Sequence, residues 1–282
     1  MVIDSGLAAG FDHINGTAAH IVRADIRDKE AMASALRGAA AAVHLAAQAS
    51  VPESIARPLD DMDINVAATL GLLGAAREIG GIRVVFASSN AVIAGHPPPA
   101  HEGLVPYPVS PYGAPKAAIE SYLRAYGDAY GLEAVALRFA NAYGPWSAHK
   151  TSAISAFVKA YLAGGPLTIR GTGAQTRDFV YLDDVVSVVL ACLDAPAEKI
   201  RGEVFQVGTG EETSLNELVA MLFEVGGGTV EVEHLDQSPG DVPRNVSDIS
   251  KARRVLGYEP AAPLAEGLRQ TVEWFRTVAP AR

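Results

Sequence analysis

The chain has 282 residues, of which 49% are hydrophobic and 20% charged, and its formal net charge is −9 at pH 7. This length suffices to bury one large core or two smaller ones. Because the balance is acidic and the basic residues are scattered, neither a nucleic acid nor an anionic membrane surface is expected as the main partner.

Short apolar segments alternate with amphipathic helical stretches through the first half of the sequence. The predicted strands, rich in Val, Ile and Leu, are 20–23, 41–45, 83–87 and 134–137. The predicted helices between them are 29–37, 61–79 and 112–130. This alternation predicts right-handed parallel crossovers, and therefore a doubly wound parallel sheet of the α/β class.

The pattern changes after Pro145, where glycine and proline interrupt short segments. A helix at 183–193 and a strand at 203–207 indicate returns to the sheet. We therefore expect the sheet domain to comprise residues 1–144 and 175–207. A smaller, discontinuous lobe is expected to comprise residues 145–174 and 208–282.

Cys192 is the only cysteine, so an internal disulfide is excluded and a reducing compartment is favoured. It lies in an apolar helical run, where a core role is the simplest interpretation. No secretory pattern and no apolar run of about 18 residues is present. The sequence thus predicts a cytoplasmic protein without a membrane span, and no metal site is predicted.

Tyr112 and Lys116 are the most informative pair in the sequence. They lie four residues apart at a predicted helix start, just after Ser110 and Pro111, so both side chains lie on one face. Such a lysine can lower the pKa of the phenol, which makes it a base for an alcohol proton. The alternative is a surface tyrosine packed by a lysine stem.

Several motifs occur in order between about Val2 and Phe275. They are Asp25–Asp28, His44–Ala47, Phe86–Ser89, Ser110–Lys116, Leu137–Arg138, Asn141–Pro145 and Gln175–Asp184. Together they resemble the extended short-chain dehydrogenase/reductases, in the NAD-dependent epimerase/dehydratase family, and most of all its nucleotide-sugar epimerases of the UDP-glucose 4-epimerase type. The resemblance implies a Rossmann-like sheet, NAD as cofactor and epimerisation through a transient keto-sugar.

The resemblance implies roles for residues at the ends of strands. Tyr112 would be the base, Lys116 would lower its pKa and hold the nicotinamide ribose, and Ser89 would bind the reacting oxygen. Ser88 is the alternative for that last role. Asn90, which follows Ser89, cannot act as an acid or base at neutral pH, so epimerisation is favoured over dehydration. A dehydratase or reductase on the same scaffold remains the alternative activity.

The resemblance also implies a set of NAD-binding residues at successive strand ends, in addition to Tyr112 and Lys116. They are Asp4, Asp25, Ile26, Leu45, Ala46, Ala47 and Gln48. A carboxylate at Asp4 suits the ribose diol of NAD and disfavours the 2′-phosphate of NADP. His44 is interpreted as a packed strand-end histidine, not as a base.

A nucleotide-sugar substrate would be bound by a second set of residues. They are Ser89, Asn90, Asn141, Arg177, Asp241 and Arg244. Arg177 is the expected diphosphate ligand, because a guanidinium matches phosphate oxygens. Ser238 occupies the place of a second clamp arginine in related proteins, and Arg244 is the expected substitute. Asp241 would hold the nucleoside ribose.

No glycine-rich dinucleotide loop precedes Asp4. In the fingerprint that loop lies about 20 residues before the ribose acid, so roughly 25 residues and the first strand–helix unit are expected to be absent. A truncated reading frame and a shortened nucleotide-sugar-binding protein are the two explanations, and weak NAD binding is expected. Val207–Gly210 is interpreted as a strand-exit turn and not a phosphate loop. By resemblance, a homodimer would form through the helices at 61–79 and 112–130.

Overall fold

The computed structural model describes residues 1–6, 14, 16–237 and 242–278. Its strands are β1 (Val2–Asp4), β2 (Ile21–Arg23), β3 (Ala41–His44), β4 (Arg83–Ser89), β5 (Ala134–Phe139), β6 (Asn141–Tyr143), β7 (Leu167–Arg170), β8 (Thr176–Arg177), β9 (Phe179–Tyr181), β10 (Glu203–Val207), β11 (Thr213–Ser214) and β12 (Val232–Leu235). Its α-helices are α1 (Lys29–Leu36), α2 (Val51–Ala56), α3 (Pro58–Met62), α4 (Ala68–Ile79), α5 (Gly113–Tyr130), α6 (Ala153–Ala163), α7 (Leu182–Asp194), α8 (Ala197–Ile200), α9 (Leu215–Gly226), α10 (Ser250–Leu256) and α11 (Leu264–Val278).

The main sheet has four parallel strands in the order β10-β5-β4-β3. Successive residues of a strand face opposite sides, and β4 shows this directly. Val84 and Phe86 pack with α4 and α5, whereas Val85 packs with α7 and α10. Helices therefore cover both faces, and the predicted doubly wound parallel sheet is confirmed.

Strands β1 and β2 form a separate parallel pair, with Val2 opposite Ile21 and Asp4 opposite Arg23. Within the described residues this pair is not hydrogen-bonded to β3. Helix α1, which follows β2, packs against α4 and contributes Leu36 to the core on that side of the main sheet. The pair is thus joined to the rest of the fold through helix packing.

A second core lies in the smaller lobe, where α6, α9 and α11 pack around β7. Its fully buried side chains include Val158, Leu167 and Leu218. Helix α9 begins with a capping box, because Ser214 and Glu217 satisfy each other's backbone amides. Ile249 and Ala252 pack instead with the main sheet, and the predicted boundaries of the two domains stay a prediction.

The predicted single helix at 61–79 is wrong in one respect. The chain is helical there, but residues Asp63–Ala67 form a π-helical turn between α3 and α4. The reason is tertiary: the side chains of Asp61 and Asn65 bond to the loop after β3, and Thr69 donates to the Asn65 carbonyl. Such turns are frequent at functional sites.

Cys192 is fully buried in α7, and burial raises the pKa of its thiol to about 12, which confirms the predicted core role. Within the described ranges, no helix has both the length and the apolar character required to cross a bilayer.

Candidate active site

The carboxyl end of β4 and the start of α5 bring the predicted catalytic residues together. Tyr112 is the residue before α5, and its hydroxyl lies close enough to Ser89, the last residue of β4, for that side chain to influence the pKa of the phenol. Lys116, one turn further on, donates from Nζ to the Ala87 carbonyl at 2.7 Å. The same ammonium lies 4.6 Å from the centre of the Phe86 ring. Phenol, ammonium and hydroxyl thus meet at one strand end, as predicted.

Burial changes the acid–base properties of this cluster. It lowers the pKa of Lys116 to about 8, and the carboxylates of Asp61 and Glu120 oppose that change. Burial also raises the pKa of Tyr112; the Ser89 hydrogen bond lowers it and the Asp61 charge raises it. The lowering of the Tyr112 pKa by Lys116 stays a prediction: in this structure burial is the largest influence on the Tyr112 pKa and raises it, and the Lys116 ammonium donates to the Ala87 carbonyl.

Ser88 and Ser89 have different environments although they are adjacent. Ser89 is half-buried beside Tyr112, whereas Ser88 is 4% exposed and donates from Oγ to Oε1 of Glu120 at 2.5 Å. Glu120 also forms a bidentate ion pair with Arg138 on β5. This arrangement favours Ser89 as the hydroxyl that faces a substrate.

A buried polar network supports the loop after β3. Asn65 in the π turn accepts from the Gln48 amide N–H and donates to the Gln48 carbonyl, both at 3.0 Å. Oδ1 of Asp61 accepts from the side-chain amides of Gln48 and Asn65. Its other oxygen, Oδ2, is buried without a hydrogen-bond partner among the described residues. A carboxylate therefore lies close enough to influence both Tyr112 and Lys116.

His44, at the end of β3, belongs to the same network. Its Nε2 lies 2.9 Å from Oγ1 of Thr69, whose hydroxyl proton goes to the Asn65 carbonyl, so Nε2 is the donor. Burial, together with the Lys116 charge, lowers the pKa of His44 to about 4. These contacts confirm the interpretation of His44 as a packed strand-end residue.

Apart from Tyr112 and Lys116, the predicted NAD-binding residues lie at or just after the carboxyl ends of β1, β2 and β3. Asp4 ends β1 and accepts from the Gly6 amide at 2.5 Å. Asp25 follows β2 and is held by Arg27, whose hydrogen bonds lower the pKa of that carboxyl to about 2. The side chain of Ile26 packs on the core at α4. Leu45 and Ala46 are exposed after β3, with Ala47 and Gln48 half-buried behind them.

The predicted substrate residue Asn90 is bonded to a segment that is distant in the sequence. Asn90 is 4% exposed and donates from Nδ2 to Oδ1 of Asn245 at 3.1 Å and to Oγ of Ser247 at 3.0 Å. Its Oδ1 has no hydrogen-bond partner in the described part of the chain. A cleft beside Asn90 is lined by Ile93, His96 and Arg244. Asn141 is the first residue of β6, and its side-chain amide donates to the Asp178 carbonyl.

The two candidate phosphate ligands, Arg177 and Arg244, both lie near Val242. Nη1 of Arg177 donates to the carbonyls of Thr176 and Val242, both at 2.7 Å. Arg244 is exposed and forms an ion pair with Glu212 at 2.9 Å. Asp241 and Ser238 lie outside the described residues.

The turn at Val207–Gly210 binds an internal carboxylate. Asp178 is fully buried and accepts from the amides of Thr209, Gly210 and Ser247. A Cβ at Gly208 would lie 2.2 Å from Oδ2 of Asp178, so this close approach requires glycine. The predicted strand-exit turn is confirmed, because the amides that could hold a phosphate are already used.

Sequence reasoning missed three buried polar residues near the site: Asp61, Glu120 and Asp178. Glu120 had a usable signal, since it lies four residues after Lys116 on the same helix face and Arg138 interrupts an apolar strand. Asp61 and Asp178 gave no comparable signal, because Asp61 binds the loop after β3 through Gln48, 13 residues away, and Asp178 binds Thr209, 31 residues away; the bond of Asp61 to Asn65 is local.

Comparison with known proteins places this geometry in a family. The model of the NAD dependent epimerase/dehydratase family matches residues 5–208. The UDP-glucose 4-epimerase of Mycolicibacterium smegmatis is 41% identical over 237 residues, which are 83% of this chain and 75% of the relative.

Two solved structures resemble the whole fold. A UDP-glucose 4-epimerase from Thermotoga maritima with UDP-glucose has a TM-score of 0.91 at 34% identity, and the match covers 98% of this chain and 90% of that one. A UDP-glucuronic acid 4-epimerase from Bacillus cereus, in complex with UDP-glucuronic acid and NAD, has a TM-score of 0.90 at 28% identity with the same coverage. The chain belongs to the NAD dependent epimerase/dehydratase family.

Proposed function

We propose that the protein is an NAD-dependent nucleotide-sugar epimerase that inverts C4 of a UDP-hexose or a UDP-uronate through a transient keto-sugar. The observation that carries the proposal is the meeting of Tyr112, Ser89 and Lys116 at the end of β4. Relatives that act on UDP-glucose and UDP-glucuronate support the substrate class.

The chain's own residues supply the proton transfer. Oη of Tyr112 takes the proton of the C4 hydroxyl. It returns the proton after the keto-sugar has rotated in the site and presents its opposite face. The Ser89 hydroxyl holds the C4 oxygen and stabilises the phenolate by its hydrogen bond. Lys116 supplies the positive charge of the site while it is protonated, which means below about pH 8.

The residues at the strand ends fit a dinucleotide. Parallel strands of an α/β sheet present their carboxyl ends to ligands, and Asp4, Asp25 and Gln48 follow three of them. Asp4 would hold the adenosine ribose, Asp25 and Ile26 the adenine, and Leu45–Gln48 the diphosphate and nicotinamide side. The chemistry that NAD supplies when bound is reversible acceptance of the C4 hydride.

The nucleotide of the substrate would lie between the lobes, near the cleft beside Asn90. Arg177 would bind its diphosphate, with Asn141 and Arg244 as further ligands and Asp241 on the ribose. Arg244 would then exchange its exposed pair with Glu212 for phosphate, a small cost because exposed ion pairs contribute little.

Residues after Ser89 distinguish epimerisation from dehydration. Elimination of a hydroxyl needs a further acid and base, whereas Asn90 and Ala91 offer neither. The Asn90 amide is moreover engaged by Asn245 and Ser247. These contacts favour the epimerase over a dehydratase.

The proposal extends to assembly and location. A cytoplasmic homodimer is proposed, formed through the helices at 61–79 and 112–130. Exposed apolar side chains on these helices support it, namely Met62, Ile79, Tyr122 and Tyr130.

Turnover of nucleotide sugars tests the proposal. The protein is incubated with saturating NAD and UDP-glucose, UDP-galactose or UDP-glucuronate, and products are separated by anion-exchange chromatography. The 4-epimer is expected, and Tyr112→Phe should abolish its formation. A keto-deoxy product would instead identify a dehydratase, and unchanged turnover in Tyr112→Phe would exclude Tyr112 as the base.

A further inference from the structure

Three residues spaced four apart, from the residue before α5 to the middle of that helix, lie beside the last three residues of β4. The pairs are Tyr112 with Ser89, Lys116 with the Ala87 carbonyl, and Glu120 with Ser88. A spacing of four keeps side chains on one face of a helix. The helix is therefore held against the strand at three consecutive positions, of which only the first two belong to the proposed chemistry.

Glu120, at the third of these positions, also forms a buried ion pair with Arg138. Glu120 accepts from Nε and Nη2 of Arg138 at 2.9 and 2.6 Å, and the two side chains are only 5% and 3% exposed. Arg138 lies directly opposite Ser88 in the register of β4 and β5. Bidentate, charge-assisted bonds fix geometry as well as energy. This ion pair therefore ties α5 to both strands, next to the residues that meet at Ser89.

We propose that Glu120 and Arg138 are positioning residues of this active site, whose buried ion pair sets where α5 lies along β4 and so brings Tyr112 to Ser89 and Lys116 to the Ala87 carbonyl. The inference rests on the proposed function, since it assigns the pair to the reaction of those residues. Neither Glu120 nor Arg138 touches the reacting atoms in this role.

The charge of Glu120 adds an electrostatic contribution at Lys116. The charged and titratable groups around that ammonium are Asp61 before the π turn, His44 on β3, Tyr112 and Glu120. Burial lowers the pKa of Lys116, whereas Asp61 and Glu120 raise it. Glu120 thus helps to keep an ammonium ion in a place where burial disfavours it.

The chain offers a matched control for Glu120 in Glu133. Glu133 precedes β5 and pairs with Arg83, the first residue of β4, at 2.7 Å. This second Glu–Arg pair joins the same two strands at their opposite end, away from Ser89. Glu120→Gln and Glu133→Gln each remove one carboxylate that pairs with an arginine of β4 or β5, and only Glu120 lies beside the site.

Two readouts on the full 282-residue protein test the role, one of which needs neither NAD nor turnover. The Lys116 titration is followed by NMR in protein labelled with [13C]lysine, with Lys116→Met for assignment. The second readout is kcat and KM for the nucleotide sugar at saturating NAD. In Glu120→Gln the Lys116 pKa should fall by roughly half a unit or more, and kcat should fall at least about tenfold with KM within about twofold. Glu133→Gln should change neither.

A folded Glu120→Gln protein that matches Glu133→Gln in both readouts would overturn the proposal. If Glu120→Gln does not fold, the double variant Glu120→Met with Arg138→Met decides, because apolar replacement of both partners leaves no unpaired buried charge. Lowered kcat in the folded double variant supports the proposal, and wild-type kcat rejects it. If the wild-type protein forms no epimer, the proposed function fails, while the Lys116 titration still tests the coupling to Glu120.

Discussion

The hydroxyl of Ser89 and the hydroxyl of Ser88 are one residue apart, yet only one of them faces Tyr112. Ser89 lies near enough to Tyr112 to influence its pKa, and Ser88 is buried against Glu120. Ser88 points to the side of the sheet where Glu120 of α5 lies, whereas Ser89 ends β4 and lies beside the residue that precedes α5. The sequence alone left both serines as candidates, and the contacts favour Ser89.

Substitution of each serine by alanine compares their contributions to kcat directly. Ser89→Ala should lower kcat by about 10²-fold or more, because the hydrogen bond to the reacting oxygen and to Tyr112 is lost. Ser88→Ala should lower it by less than about tenfold, since the Glu120–Arg138 pair is retained. Steady-state kinetics at saturating NAD measure both values. Equal losses, or a larger loss in Ser88→Ala, would contradict the assignment.

Burial of the Lys116 ammonium lowers the free energy of unfolding at neutral pH. Its folded pKa of about 8 lies below the ordinary value of 10.5, so between these pH values the unfolded chain binds more protons than the folded one. Stability from this group therefore rises with pH across that window, by up to about 3 kcal/mol.

The neutral variant Lys116→Met tests this linkage. It should be more stable than the wild type at pH 7, and the difference in free energy of unfolding should shrink as pH rises from 8 towards 10. Urea unfolding at several pH values, followed by circular dichroism, measures it. A difference that does not change with pH would show that Lys116 is not destabilised by burial.

At the level of elements, the predicted strands and helices agree with the structure to within one or two residues at most ends. Local patterns determine them: apolar runs such as that of β5, and amphipathic periodicity in α5. The π turn was not predictable in this way. It depends on bonds from Asp61 and Asn65 to Gln48, which lies 13 and 17 residues away in the sequence.

The carboxylate ahead of the π turn should affect the pH dependence of turnover. Asp61 raises the pKa of both Tyr112 and Lys116, so Asp61→Asn should lower both while keeping an oxygen to accept from Gln48 and Asn65. In the proposed mechanism, turnover needs ionised Tyr112 and protonated Lys116. Both limbs of the pH profile of kcat should therefore move to lower pH, by roughly half a unit or more.

The matched comparison for Asp61 is Asp60→Asn, because Asp60 is an exposed neighbour whose carboxylate pairs only loosely with Arg57. Its pH profile should coincide with that of the wild type. If the pH profile of kcat in Asp61→Asn also coincides with that of the wild type, electrostatic coupling between Asp61 and the Tyr112–Lys116 pair is excluded.

At the scale of the whole molecule, the predicted cofactor ligands are divided between two sheets. Asp4 ends β1 and Asp25 follows β2, whereas Leu45–Gln48 follow β3 of the main sheet, and helix packing of α1 on α4 connects the two sheets. A family resemblance predicted these residues, and the division between two sheets is a property of tertiary hydrogen bonding.

This division predicts weak NAD binding by the 282-residue protein. Ligands on two separately bonded sheets are less preorganised, so part of the binding free energy is spent on ordering them. Isothermal titration calorimetry should give a Kd of about 100 μM or weaker, and NAD should raise the unfolding temperature only at comparable concentrations. Purified protein that carries NAD through size-exclusion chromatography would contradict the prediction.

The central claim is that C4 is oxidised and then reduced within one site built on Tyr112, Ser89 and Lys116. The most direct test uses UDP-glucose deuterated at C4, incubated with the protein at saturating NAD, with the product analysed by mass spectrometry and NMR. The account predicts UDP-galactose that retains deuterium at C4, and none from Tyr112→Phe. Loss of the deuterium to solvent, or equal turnover in Tyr112→Phe, would contradict it.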